Sequence, residues 1–297
     1  MMGILVILLK PDIILIDHGH FQYNSIVLGL ILYSIYFMFN RNRYLCCFLF
    51  SIALNCKQMA TYYALGFPCA LIGLSLHQNK GRRHKVIQEI IVFAIIVIST
   101  FFILWLPWIR SMESFKSVIQ AIFPIHRGLY QLKVANFWCI TDILFKWERW
   151  LGKETLMAIC GFLCFCLSWP TMVAMVVRPT KKIILIGFAT ISMTFFMFSY
   201  HVHEKSILLP LTIIPFLTPY VGKYFVIEMV LSGCFGMKYF YRRYVSFVGG
   251  RWANPSVFCD VGSFFAVCNT ILRCWRPLPQ DNKSKSQKSI ENRENSL

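Results

Sequence analysis

Phe21-Gln-Tyr-Asn-Ser-Ile-Val-Leu-Gly-Leu-Ile-Leu-Tyr-Ser-Ile-Tyr-Phe-Met-Phe-Asn40 runs for 20 residues without a charged side chain. A helix rises 1.5 Å per residue, so about 20 apolar residues match the roughly 30 Å hydrocarbon core of a bilayer. This stretch therefore reads as one membrane crossing. Gln58–Leu76, Ile90–Trp108, Thr155–Val177, Ile183–Tyr200 and Ser206–Gly222 repeat the pattern over 17 to 23 residues. Tyr44–Cys56 is 13 residues long and reads as a short, tilted or broken helix. Beyond Lys223 the pattern weakens, because Glu228 and Asp260 interrupt the apolar runs and Lys238, Arg242, Arg243 and Arg251 lie between them. One or two further crossings fit there. The fold class read from these spans is an all-α integral membrane protein, a polytopic helical bundle with roughly 7–9 spans.

Composition agrees. Of 297 residues, 57% are hydrophobic and 14% are charged, against about 25% charged in a soluble domain. The mean hydropathy is +0.58, which excludes a soluble enzyme, a disordered chain and a collagen. The net charge of +17 would suggest nucleic acid in a soluble protein. In a membrane protein it marks loops and interfaces, and no phosphate-loop or nucleic-acid module is present, so no nucleic-acid partner is expected. The 12 cysteines are scattered through apolar runs, as Cys160, Cys164 and Cys166 are. None forms a CxxC pair, so they read as small hydrophobes.

The densest basic connections are Arg41 and Arg43, the His77–Lys85 loop, and Arg178 with Lys181 and Lys182. By the positive-inside rule these face the cytoplasm. If Tyr44–Leu76 crosses twice, the opposite face holds Pro11–Asn24, Ile109–Trp150 and His201–Lys205. Met1–Leu9 lacks a basic n-region and a cleavage site, and reads as the end of a longer membrane segment rather than a signal peptide. Arg276–Leu297 is polar and apolar-poor, and is expected to be a disordered tail. Its Asn282-Lys-Ser is a weak glycosylation sequon. The expected organisation is a membrane domain over residues 1–275 and a tail over 276–297.

Five of the seven histidines fall in those three same-face segments. Asp17-His18-Gly19-His20-Phe21-Gln22-Tyr23-Asn24 offers a carboxylate, two imidazoles, two amides and a phenol, a set suited to sugar hydroxyls or a phosphate. An interfacial cap is the ordinary alternative. Phe123-Pro-Ile-His126-Arg127-Gly-Leu-Tyr130, followed by Lys133-Val-Ala-Asn136-Phe-Trp138, lies in a loop of about forty residues, and long ordered loops are often functional. There Arg127 can clamp a phosphate, and Trp138 or Tyr130 can stack on a sugar. The ordinary alternative is an amphipathic interfacial helix. His201-Val-His203-Glu204-Lys205 sits between two uncharged spans, where titratable groups are costly unless used or paired.

Metal is not expected. His18-x-His20 and His201-x-His203 are spaced i, i+2, which does not place both ligands on one helix face. A transporter is a second alternative, although the long spans carry almost no charge at mid-depth. A non-catalytic membrane remnant is a third.

The quoted motifs resemble the endoplasmic-reticulum α-1,3-glucosyltransferases that extend the dolichol-linked oligosaccharide. The similarity runs, in family order, through Asp17–Asn24, Asn55-x-Lys57-Gln58-Met59, Phe123–Leu129, Lys133–Cys139 and Val202–Ser206, and covers about Pro11–Pro215. Gly19 and the Lys133–Cys139 stretch look like the branch that adds the first glucose; the second-glucose paralogue differs at that loop. The resemblance implies a GT-C-like membrane fold, an endoplasmic-reticulum membrane location and an active face toward the lumen. It implies no cofactor. Its substrates would be dolichyl-phosphate-glucose as donor and a mannose of Man9GlcNAc2-diphosphodolichol as acceptor.

The implied reaction inverts the glucose anomeric carbon, turning a β-linked phospho-sugar into an α-1,3 glucoside. A carboxylate would deprotonate the acceptor while positive charge stabilises the departing phosphate. On this reading His203 and Lys205 contact the donor phosphate, with His201 and Arg127 beside them and Glu204 orienting its neighbours. Asp17, His20, Gln22, Tyr23, Asn24, Lys133, Asn136 and Trp138 line the site. The family's base belongs to an acidic-Tyr-Pro-Pro loop. That pattern is absent from these 297 residues, so the resemblance leaves the catalytic residue unassigned; Asp17 is the carboxylate nearest the motifs but does not match the family's residue. Relatives tend to carry acidic residues where Gln131 and Leu132 stand here, and the similarity fades after about Phe216.

Overall fold

The computed structural model describes residues 23–80, 82–109, 111–122, 136–200, 202–217 and 220. Among these, all regular structure is helical. The expected tail over 276–297, the segment beyond Lys223 and the start of the 1–275 domain lie outside the described residues.

Helix α1 (Asn24–Phe39) buries Val27, Leu28, Ile31, Ile35 and Met38. Their spacing of three and four residues is one face of a helix. Ile26, Tyr33 and Tyr36 point outward, as lipid-facing side chains do. A tight turn follows, with Arg41 in the left-handed region at φ 63°. The Asn42 side chain then accepts the Leu45 N–H at 3.3 Å, capping α2 (Arg43–Cys56). Helix α2 ends where Lys57 becomes extended, and a 3-10 turn covers Gln58–Tyr63. Helix α3 (Gly66–Gln78) starts next, with Pro68 in its first turn, where a missing N–H costs nothing.

Helix α4 (Arg83–Trp105) is 23 residues long and buries only Val86, Phe93 and Thr100; its remaining apolar surface faces outward. The connection after it contains α5 (Met112–Ile122), α6 (Phe137–Phe145) and the single turn α7 (Trp147–Leu151). Helix α8 (Lys153–Val177) spans 25 residues with Pro170 inside it. Helix α9 (Lys181–Phe198) is the core of the bundle and is buried along most of its length. A 3-10 turn, Glu204–Ile207, leads into α10 (Leu208–Leu217).

The expectation of a helical membrane protein holds, and among the described residues three helices are long and apolar enough to cross a bilayer: α4, α8 and α9. Three expected spans take a different form. Phe21–Asn40 gives a helix of 16 residues. Gln58–Leu76 is not one helix, because its first turn is 3-10 and the α-helix begins at Gly66. Ser206–Gly222 likewise divides into the end of a 3-10 turn and α10. In the last two cases uninterrupted apolarity disguises a break: backbone geometry changes while hydropathy does not. Helices α2 and α3 run out and back, since Arg43 at the start of α2 donates to Ser75 and Gln78 at the end of α3, at 2.8 and 2.5 Å. The Tyr44–Leu76 segment therefore contains two antiparallel helices.

Aromatic rings and small residues lock the core. Phe67 stacks on Phe50 at 3.8 Å between centroids and leans on Phe188 at 4.8 Å. Tyr63 meets Phe188 edge-on at 5.6 Å, a favoured quadrupole geometry. Gly66 lets Phe188 approach: a Cβ there would lie 2.9 Å from its ring. Gly73 brings α3 onto the backbone of α8, where a Cβ would meet the Val176 Cα at 2.9 Å.

Candidate functional site

The helices sort their ends into two groups. One group contains the start of α1, the end of α2, the start of α3, the end of α4, the start of α8 and the end of α9. It gathers the described members of all three polar clusters.

Asn24, at the start of α1, is fully buried. Its side-chain oxygen accepts a hydrogen bond from the Lys57 ammonium, and the same ammonium lies 4.9 Å from the centre of the Tyr23 ring. Lys57 reaches Asn24 because the chain turns extended after α2 and projects the side chain back along α1. Two residues earlier, Asn55 accepts the indole N–H of Trp105 at 2.6 Å, which fixes the end of α4 to the end of α2.

The turn after Lys57 carries this cluster to the second one. Tyr63 donates its hydroxyl to the Leu209 carbonyl at 2.7 Å. Tyr62 and Ser206 are both buried here. Ser206 adjoins Lys205, which is only 7% exposed. An ammonium taken out of water needs partners, so this lysine is held in place rather than free to sweep through solvent. His203 caps the 3-10 turn: its Nδ1 accepts the Lys205 backbone N–H at 3.3 Å. That bond selects the neutral tautomer protonated on Nε2, leaving Nε2 as the donor edge.

The third cluster is docked by its tryptophan. Trp138 is 4% exposed and donates its indole N–H to the Phe198 carbonyl at 2.7 Å. Its ring meets Trp147 edge-on at 5.9 Å. Asp142 accepts the Trp147 N–H at 2.7 Å, capping α7, and Tyr200 donates to Glu148 at 2.7 Å. Asn136 is buried beside them. Trp138 thus forms a wall of this end of the bundle, with its indole N–H already bonded to the backbone.

Of the residues expected at the site, Tyr23, Asn24, Asn136, Trp138, His203 and Lys205 are brought to this end. Asp17, His20, Gln22, Arg127, Lys133 and His201 lie outside the described residues, as does the side chain of Glu204. Lys57 and Tyr62 had no role assigned from the sequence. The signal for Lys57 was present in Asn55-x-Lys57-Gln58-Met59, a lysine immediately after the uncharged run Tyr44–Cys56, but its partner stands 33 positions earlier in the chain. The assembled group offers two lysines and a tautomer-fixed histidine set among apolar and aromatic walls. Such an arrangement can bind and neutralise a phosphate at the edge of a membrane.

Comparison with known proteins follows the same residues. The family model described as the ALG6, ALG8 glycosyltransferase family matches residues 1–240. A probable dolichyl pyrophosphate Man9GlcNAc2 alpha-1,3-glucosyltransferase of Arabidopsis thaliana is 43% identical over 207 residues, covering 70% of this chain and 38% of that protein. The dolichyl pyrophosphate Man9GlcNAc2 alpha-1,3-glucosyltransferase of Gallus gallus is 36% identical over 231 residues, covering 77% of this chain and 45% of its own. A probable enzyme of the same name from Drosophila melanogaster is 38% identical over 199 residues, covering 67% and 42%. The chain spans less than half the length of these relatives. With a family match over most of its length and a polar end built from the matching motifs, this chain belongs to the ALG6, ALG8 glycosyltransferase family.

Proposed function

We propose that the protein transfers glucose from dolichyl-phosphate-glucose to Man9GlcNAc2-diphosphodolichol in α-1,3 linkage, with inversion, as a step of protein N-glycosylation. The observation that carries this reading is the burial of Lys205 beside the turn-capping His203, at the same end of an apolar bundle as the Lys57–Asn24 pair. Family membership and the names of the relatives supply the acceptor class.

In the proposed mechanism the lipid phosphate of the donor sits against the Lys205 ammonium and the Nε2–H of His203. As the bond between the anomeric carbon and the phosphate oxygen breaks, negative charge grows on the phosphate and these donors stabilise it. The Lys57–Asn24–Tyr23 group holds the start of α1 at the sugar end of the site. His201, Glu204, Arg127, Asp17, His20, Gln22 and Lys133 keep the roles that the motifs imply. On this reading the reaction runs in the endoplasmic-reticulum membrane, on its lumenal face, as the motif resemblance implies. The polar tail over 276–297 follows the membrane domain over 1–275.

The test is glucose transfer in microsomes from cells that lack the first-glucose enzyme. The chain is expressed there with confirmed yield, and conversion of Man9 to Glc1Man9 oligosaccharide is followed with labelled dolichyl-phosphate-glucose. Activity that falls about tenfold or more in Lys205→Met fits the loss of one charge-assisted hydrogen bond, roughly 1.5–3 kcal/mol. Absence of transfer from the well-expressed chain, both alone and when joined to a family acidic-Tyr-Pro-Pro loop, overturns the reading.

A further inference from the structure

The opposite ends of the same helices enclose a second polar site. A cavity of about 510 Å³ opens between the end of α1, the end of α3 and the start of α9. Its apolar wall includes Met38 and Leu74, and its polar side carries Arg41, Arg43, His77 and Lys181. Helix α9 runs from Lys181 beside this cavity to Phe198 beside Trp138. Its 18 residues separate the two sites by about 26 Å at 1.5 Å per residue. The cavity is thus distinct from the proposed catalytic end, and its argument stands apart from that reading.

Charge bookkeeping identifies what the cavity lacks. Arg43 is paired with Glu89 at 3.1 Å, and it donates to Ser75 and Gln78. Among the described residues no carboxylate lines the cavity. Arg41 and Lys181 therefore bring positive charge to the rim that no lining residue balances. Lys181 is held there, its ammonium 5.8 Å from the centre of the Phe39 ring. Arg41 is fixed by the turn that ends α1: it sits in the left-handed region at φ 63° while the Asn42 N–H bonds back to the Phe37 carbonyl at 3.0 Å. The rim also stands where apolar helices give way to the basic connections 80–85 and 178–182, the sequence pattern that meets anionic headgroups. The volume is in the range of small-ligand sites.

We propose that this cavity binds the phosphate of an acidic phospholipid headgroup, with Arg41 and Lys181 on the phosphate and the Met38–Leu74 wall against the glycerol and the start of the acyl chains. A free phosphate would use the same cations but not the apolar wall, which is why a lipid is the better fit.

The test uses the purified 297-residue chain in neutral detergent and follows its thermal unfolding midpoint against three probes: dioctanoyl phosphatidylserine, dioctanoyl phosphatidylcholine and inorganic phosphate. Saturable binding of the serine lipid, at least about tenfold tighter than the choline lipid, is expected. The double variant Arg41→Asn, Lys181→Gln should weaken it at least about tenfold while unfolding, without lipid, at the wild-type temperature. Asparagine tolerates the left-handed backbone at position 41. If the double variant does not fold, Lys181→Gln alone carries the test, with a loss of about threefold or more in affinity. Equal binding of the two lipids, or variants that bind as wild type does, overturns the proposal. Inorganic phosphate binding as tightly as the serine lipid assigns the cavity to a free anion and overturns the lipid.

Discussion

The indole N–H of Trp138 donates to the carbonyl of Phe198 at 2.7 Å, and Phe198 is the last residue of α9. The final carbonyls of a helix have no partner within it. A side chain 60 positions away therefore caps the central helix of the bundle and docks the α6–α7 connection onto it.

Trp138→Phe keeps most of the ring packing and removes that donor. The buried carbonyl is then unsatisfied, and the expected loss is about 1–3 kcal/mol. It should be read as a lower unfolding midpoint and as faster proteolysis within 136–151. A variant with unchanged midpoint and unchanged proteolysis would show that the bond carries no stability.

Gly73 and Gly29 make a matched pair. A Cβ at position 73 meets the α8 backbone, whereas one at position 29 meets nothing within 4 Å. Gly73→Ala should destabilise by about 1–3 kcal/mol through overpacking. Gly29→Ala should be neutral or stabilising by up to about 1 kcal/mol, since alanine is the better helix former. Thermal unfolding of the two variants side by side gives the comparison.

Arg43 is the polar anchor at the basic end, with its side chain 8% exposed and that of Glu89 19% exposed. Arg43→Met leaves Glu89, Ser75 and Gln78 without their shared partner and should cost about 3–5 kcal/mol. Adding Glu89→Gln should recover part of that loss, because the stranded charge is removed. The unfolding midpoints of the single and double variants measure the coupling.

His203 has a structural duty and, on the proposed function, a chemical one. His203→Ala removes the turn cap, at about 1 kcal/mol, and lowers glucose transfer. His203→Asn restores a cap acceptor but supplies no imidazole donor. It should therefore regain the thermal midpoint and leave transfer low. Transfer at the wild-type level in the asparagine variant would confine His203 to capping.

Much of the fold was legible in the sequence, because hydropathy records where a helix meets lipid. The length of α4, α8 and α9 and the polar clustering near Asn24, Trp138 and His203 were both readable. The boundary at Lys57 was readable too, but the split of Gln58–Leu76 was not. Every residue from Met59 to Leu76 is compatible with a membrane interior, so no polar interruption marks the change from 3-10 to α. The site was legible as motifs but not as contacts. Lys57 and Asn24 bond across 33 positions, and Tyr63 and Leu209 across 146, separations at which local patterns carry no signal.

The sequence by itself determined the class of molecule: apolar segments of bilayer length, basic connections and a family set of motifs in order. The tertiary structure alone decided which face of each helix is inward. In α1 the buried Ile31 and the exposed Ile26 are the same residue type, because lipid and protein core are equally apolar solvents for a side chain. What separates them is packing against a neighbour, with Gly66 and Gly73 admitting close contact and rings filling the remaining space. Only the folded chain contains that information.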